Sequence, residues 1–293
     1  AGADRALFPR PAAIEPAVQF WTKVFTEIDR QHGYIHDNKH LDVIYKELAL
    51  TKHQKKSKSA TIKREKKRIE NILRTLAKGK REGLTKEERQ ILNLWPQGVS
   101  NKTLKSATKR LRFQLGQADK FKAGYIRSGA WRKHILTTLN DMGLPSEIAA
   151  LPHVESSFNP KAYSKVGAAG LWQFTRSTGK RFMRVDHVVD ERMDPFKASV
   201  SAARLLQNNY AILGTWPLAL TAYNHGAAGM RRAAATVGTT DIDKIIERYR
   251  SRSFKFASRN FYAAFLAVND VQDDVEKYFG KLNPHHPVED HVV

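Results

Sequence analysis

Apolar residues recur at intervals of three and four along most of this 293-residue chain, and the alternate-residue pattern of a half-buried strand is scarce. This periodicity constrains the fold more than any other feature. A stripe that repeats every turn can be buried only if the segment is helical. Val18–Asp29 carries Val18, Trp21, Val24, Phe25 and Ile28 at helical spacing, and Leu41–Leu48 repeats the pattern. Thr61–Ala77 sets Ile62, Ile69, Ile72, Leu73 and Leu76 on one stripe, with Lys and Arg around it. Thr85 followed by Glu88 has the spacing of a capping box that opens a further helix. Leu104–Phe121, Trp131–Met142, Ser146–Glu155 capped by Ser146, Lys197–Leu213 closed by Gly214, Trp216–Asn224 and Phe256–Val268 extend the series. The expected fold class is all-α.

Composition narrows the chemistry. There is no cysteine, which excludes a disulfide scaffold, a thiol nucleophile and Cys-ligated zinc. No run approaches the ~18 uninterrupted apolar residues of a membrane-spanning helix. The chain starts Ala1-Gly2-Ala3, and a removed secretion signal is expected. Lys and Arg total 50 against 29 Asp and Glu, a formal charge of +21 that favours polyanionic partners. Lys52–Arg112 alone holds 20 Lys and Arg against 5 Asp and Glu, a net of +15. This segment has few aromatics, Trp95 and Phe113 just outside it, and no helix-turn-helix signature. Nucleic acid is therefore not the expected partner, whereas an anionic wall or membrane surface is. The expected organisation is an irregular Ala- and Pro-rich arm at 1–16 and a basic helical N-terminal region at 17–130, packed on a catalytic domain. That domain is expected at 131–280, followed by a flexible tail at 281–293.

Three clusters carry candidate chemistry. The first runs from His153 to Pro160, the second from Ser164 to Phe174, and the third from Ala222 to Gly226. Glu155 ends an apolar stretch, Ile148 to Val154, just before a loop. A carboxyl there loses hydration and its pKa rises, as a general acid working near neutral pH requires. A solvated helix-end glutamate has the same local sequence. Trp172 and Gln173 offer an aromatic face and an amide suited to a sugar, although core packing accounts for Trp172 equally well. Gly167 and Gly170 permit a close backbone approach, but no strand precedes them and no GK[ST] follows, so they do not form a nucleotide loop. His32, His36 and His40 have a spacing that on a helix binds zinc, yet Gly33 and Asn38 interrupt it, and no metal or cofactor is expected. Asp190, Arg192 and Asp194 are read as mutual partners and as the cap of the helix near Lys197.

The ordered set Glu155-Ser156, Gly170-Leu171-Trp172-Gln173 and Ala222-Tyr223-Asn224 resembles the family of lytic transglycosylases and goose-type lysozymes. The stretches Val189–Pro195 and Ser258–Tyr262 add to the likeness, and the motifs together cover roughly 143–279. The resemblance implies a lysozyme-like helical catalytic domain in the bacterial periplasm or cell envelope, acting on peptidoglycan glycan strands without metal or cofactor. It implies that Glu155 is the single acid/base. Ser164, Gln173, Tyr223, Asn224, Trp172 and Tyr262 would contact the sugar or tune the proton. Phe261 stands where many relatives carry tyrosine. The implied reaction is cleavage with formation of a 1,6-anhydro end. The alternatives are a hydrolysing lysozyme on the same scaffold and, in another class, a catalytically idle protein binding wall or nucleic acid.

Overall fold

A computed structural model describes residues 2–50 and 55–290. Lys52, at the head of the basic segment, lies outside the described residues, as do Ala1 of the arm and 291–293 of the tail. Helix α1 (Glu15–Thr26) is followed by strands β1 (His32–Asp37) and β2 (Ile44–Ala49). Helices α2 (Lys55–Ala77), α3 (Lys86–Asn93) and α4 (Asn101–Ala107) and strand β3 (Leu111–Leu115) come next. Ten further helices follow: α5 (Ala118–Ser128), α6 (Arg132–Asp141), α7 (Leu151–Ser156), α8 (Arg176–Lys180), α9 (Pro195–Leu213), α10 (Trp216–His225), α11 (Ala227–Val237), α12 (Ile242–Arg248), α13 (Phe256–Asp273) and α14 (Val275–Phe279). The chain is thus predominantly helical, as its periodicity requires. No described helix is long and apolar enough to cross a membrane.

The chain divides into two compact units. One comprises Gln19–Asp119; the other joins the residues up to Val18 to those from Lys120 onward. The boundary at 119/120 differs from the expected 130/131, because Phe121, Gly124 and Arg127 of α5 support the loop that follows Glu155.

The Gln19–Asp119 unit departs locally from the helical expectation. It contains an antiparallel sheet in the order β2-β1-β3. Segment 41–48 was expected to be helical and supplies most of β2, whose Ile44 pairs with His36 and Leu48 with Gly33. Six residues satisfy helical and extended spacing equally well, and only the partner strand decides. The expected helix 104–121 is split into α4, β3 and the start of α5. Against the sheet packs a core of Ile35, Val43, Leu48, Ile69, Leu73, Leu76, Ile91, Trp95 and Leu104. Helices α3 and α4 have side-chain caps. The Thr85 hydroxyl accepts from the Glu88 amide at 3.1 Å and the Glu88 carboxylate accepts from the Thr85 amide at 2.8 Å, the expected capping box. His32 and His36 sit on β1 rather than on a helix. His36 is fully buried; burial pushes its pKa down to about 4, so it is neutral. Its Nδ1 bonds the Asp37 carbonyl at 2.8 Å and its Nε2 lies 3.1 Å from the Arg112 guanidinium. His40 rests edge-on against Trp95.

The other unit is built around α10, which packs on α9 and α13. Asp194 caps α9 by accepting from the Phe196 amide at 2.9 Å, and Gly214 closes that helix in the left-handed conformation that suits glycine. Ser146 opens a 3-10 turn rather than capping it; Pro145 precedes the turn and offers no side-chain cap. The arm is irregular but docked: the Phe8 ring is fully buried, 5.4 Å from Phe265 and 6.3 Å from Trp216. Residues 281–290 contain no helix or strand, and two backbone bonds tie them to α5 and its end, from His285 to Ile126 and from Val288 to Ala130.

Candidate active site

Glu155 is the penultimate residue of α7, a helix of six residues with proline at its second position. The helix stops because Ser157 and Phe158 both take positive φ, 53° and 52°. Such a conformation costs a non-glycine residue about 1 kcal/mol or more and persists only where the surroundings impose it. Here α5 imposes it. The Arg127 guanidinium donates to the Ser157 carbonyl at 2.7 Å and to the Phe158 carbonyl at 3.0 Å. Gly124 lies so close that a Cβ would sit 2.3 Å from the Ser157 oxygen. The Phe158 ring is buried edge-on against His153, and His153 is stacked on Phe121 at 4.5 Å. The chain is thereby turned sharply away just past the Glu155 carboxyl.

The second cluster forms a tight hairpin beside this turn. The Ser164 amide donates to the Ala168 carbonyl at 2.8 Å and the Ala168 amide donates to the Ser164 hydroxyl at 3.0 Å. Gly170 has φ 82°, and a Cβ there would fall 1.8 Å from the Arg192 carbonyl oxygen, so only glycine fits. Arg192 is wholly buried. It pairs with Asp190 at 2.8 Å and donates to the Gly167 and Phe174 carbonyls at 2.8 and 2.9 Å, pinning the hairpin from below. Gln173 also has positive φ, and its amide donates to the Gly170 and Ala162 carbonyls at 2.9 and 3.3 Å. The Ser156 hydroxyl joins the two clusters by donating to the Leu171 carbonyl at 2.6 Å.

The third cluster arrives on α10. The Tyr223 hydroxyl donates to the Trp172 carbonyl at 2.6 Å, so its phenol is fixed against the second cluster, near enough to feel the Glu155 charge. Burial, and secondarily the Glu155 charge, hold the Tyr223 pKa well above its ordinary value, so the phenol keeps its proton. Glu155 is half-buried, and burial pushes its carboxyl up to about 8. No described residue hydrogen-bonds or ion-pairs with that carboxyl. A protonated, partnerless carboxyl at neutral pH, beside a fixed phenol, can donate a proton and later take one back.

The remaining expected residues divide. Ser164, Gln173 and Tyr223 are linked to the Glu155 region by the contacts above. Asn224 is exposed and its Oδ1 accepts from the Ser258 hydroxyl at 2.7 Å. Trp172 offers no ring face to a sugar: it is 1 % exposed and its indole N–H donates to Ser199 at 2.8 Å. Its backbone carbonyl, not its ring, faces Tyr223. Tyr262 is likewise buried, with its hydroxyl on the Pro9 carbonyl, so it braces the arm. Phe261 is buried too. His225 lies against Phe254. Sequence reasoning missed Arg127, for which the chain carries no local signal, and the linking role of Ser156, which was in view beside Glu155.

Part of the chain is similar to known proteins. Residues 135–246 match the family model described as the transglycosylase SLT domain. Two Escherichia coli proteins, from strains K12 and O6:H1, both described as membrane-bound lytic murein transglycosylase D, are 27% identical over 166 residues; the match covers 54% of this chain. The chain spans about a third of the length of these relatives, 34%. The 70 kDa soluble lytic transglycosylase of Escherichia coli aligns with a TM-score of 0.45 at 19% identity, covering 66% of this chain and 31% of that one. The family match thus falls on residues 135–246, the stretch that holds all three clusters around Glu155.

Proposed function

We propose that the protein is a peptidoglycan lytic transglycosylase. It cleaves the bond between N-acetylmuramic acid and N-acetylglucosamine, with Glu155 as single acid and base. The observation that supports this most is the half-buried, partnerless Glu155 carboxyl, raised to about 8, beside the protonated Tyr223 phenol. Glu155 donates its proton to the glycosidic oxygen as the bond to C1 breaks. The 2-acetamido oxygen of the muramic residue stabilises the cation at C1, which removes the need for a second carboxylate. The Glu155 carboxylate then takes the proton of the 6-hydroxyl, whose oxygen closes on C1. The product is a 1,6-anhydro sugar and the acid is restored.

The acids that follow the second cluster along the chain favour this over hydrolysis. Asp186 pairs with Arg184 and accepts from the Val188 and Val189 amides, Asp190 pairs with Arg192, Glu191 pairs with Lys197, and Asp194 caps α9. All four are engaged, whereas an inverting hydrolase needs a carboxylate left to activate water. The tethered 6-hydroxyl needs only to be in position. Ser164, Gln173 and Asn224 are proposed as sugar contacts.

The substrate places the protein in the cell envelope, and exposed cations of the 52–112 segment are proposed to meet an anionic wall or membrane surface. Mass spectrometry of digested wall sacculi tests the reaction. Products one water lighter than hydrolysis gives are expected. Mostly reducing ends would replace this reading with a lysozyme.

A further inference from the structure

The unit that carries Glu155 has a second concavity, a cavity of about 560 Å³ at the far end of α10. Its walls are the arm, the corner between α9 and α10, and the start of α12. Trp216 opens α10 and Tyr223 stands seven residues further on, which is about 10 Å along the helix axis at ~1.5 Å per residue. The cavity is thus separate from the residues around Glu155.

Its walls are fixed before any ligand arrives. Phe8 anchors the arm in the core. Arg10 is held by Glu15 at 2.7 and 2.8 Å and by Asp270 at 2.7 Å, so its guanidinium is used in construction. The floor is the Tyr210 ring, stacked on Trp216 at 4.5 Å and 22° yet itself 39% exposed. Two charges of opposite sign line the same cavity without satisfying each other. Arg5, on the arm, is exposed and has no ion pair among the described residues. Asp243, on α12, has none either, and the Asp241 carboxylate beside it pairs with Lys244 at 3.3 Å.

This combination selects its ligand. A polyanion would be repelled by Asp241 and Asp243. An uncharged sugar can hydrogen-bond to Arg5 and Asp243 but leaves both charges unmatched. A short peptide carrying both a carboxylate and an ammonium group can answer both charges and lay its apolar part on Tyr210. We propose that this cavity binds a zwitterionic oligopeptide, and, on the peptidoglycan reading above, the stem peptide of the wall. Stem peptides carry carboxylates and, at a diamino-acid residue, a free ammonium. The site holds the strand by its peptide while the Glu155 site acts on its sugars.

The test uses the full protein and a free stem tripeptide, alanyl-γ-glutamyl-diaminopimelate, with binding followed by calorimetry and by NMR. Saturable binding is expected. Arg5→Gln and Asp243→Asn should each weaken it about tenfold or more, the usual worth of one charged hydrogen bond. Tyr210→Ala should also weaken it, and a tripeptide with its amines acetylated should bind as poorly as the Asp243→Asn protein binds the parent peptide. Cleavage of peptide-free glycan oligomers should be unchanged in Arg5→Gln and Asp243→Asn, whereas KM for peptide-bearing strands rises. No binding, equal binding by the acetylated peptide, or unaltered binding by both charge variants overturns the proposal. So does a loss of cleavage on peptide-free glycan, which would make the cavity part of the sugar groove. If the protein cleaves no glycan but binds the peptide through Arg5 and Asp243, the peptide site stands and the enzymatic reading falls.

Discussion

The Ser156 hydroxyl donates to the Leu171 backbone carbonyl at 2.6 Å, and through this bond the helix end bearing Glu155 is tied to the segment bearing Gln173. The same hydroxyl accepts from the Asn159 amide at 3.2 Å, so one side chain fixes both the turn and the hairpin. Ser156→Ala leaves the Leu171 oxygen and the Asn159 amide without this partner. A stability loss of about 1–3 kcal/mol is expected. Because Glu155 would lose its register with Gln173, kcat should fall more than KM rises. Thermal unfolding and steady-state kinetics on soluble glycan check this; unchanged kcat would show that the bond serves stability alone.

Glu155→Gln should abolish cleavage, by about 10² or more, and leave the fold intact. The raised carboxyl also has a stability signature. The folded-state pKa of about 8 lies above the ordinary 4.5, so the folded state holds its proton where the unfolded state has released it. The cost of burying the carboxylate is absent below about 4.5, grows from there to about 8, and is complete above. The Gln variant should therefore match the parent Tm at pH 4 and exceed it at pH 9. In the parent, cleavage should decline as pH rises through about 8. Equal Tm differences at both pH values would contradict the raised carboxyl.

His153 gives the opposite limb. It is buried among Phe121 and Phe158, and burial, opposed by the neighbouring Gln272 side chain and aided by Arg132 and Arg127, pushes its pKa down to about 3. The unfolded state takes up a proton below about 6.5 while the folded state refuses it, so stability declines as pH falls from 6.5 towards 3. His153→Leu, which is similar in volume, should flatten that decline in Tm. A variant as acid-sensitive as the parent would assign the decline to other groups.

Trp172→Phe separates core from sugar contact. With the indole buried on Ser199, the expected effect is a stability loss of about 0.5–3 kcal/mol with KM unchanged. A raised KM at unchanged stability would return Trp172 to the substrate.

Lys63, Arg64 and Lys66 on α2 have no ion pair among the described residues. Replacing them with Gln should weaken binding to whole walls, most at low salt, where screening is least. Cleavage of short soluble glycans should not change. Equal losses on both substrates would put these cations at the sugar site.

How much the sequence reveals depends on where each residue's partners lie along the chain. Glu155 was legible because it ends the apolar run Ile148–Val154 just before a loop. The capping box at Thr85 and the cap at Asp194 were legible for the same reason, since their partners are two or three residues away. Trp172 was ambiguous because its partner, Ser199, is on α9, far along the chain from the hairpin. Tyr262 was assigned to the sugar because nothing near it in sequence announces Pro9. The left-handed pair Ser157 and Phe158 has no glycine to advertise it, and Arg127 on α5 imposes it. Strand β3 did carry a signal, the alternation of Leu111, Phe113 and Leu115, which the longer helical pattern around it masked.

The arm has a temporal consequence. Phe8, Pro9 and Arg10 find their partners on α13, at Phe265, Tyr262 and Asp270. Gln19–Asp119 is contiguous and can close on itself while later residues are still absent. The unit bearing Glu155 cannot, because its first strand of chain must wait for its last long helix. At roughly 5–20 residues per second of synthesis, that wait is on the order of tens of seconds. Whenever the chain emerges N-terminus first, the Phe8 ring stays uncovered and the acid unassembled until α13 arrives. The architecture thus makes competence wait for the synthesis of α13.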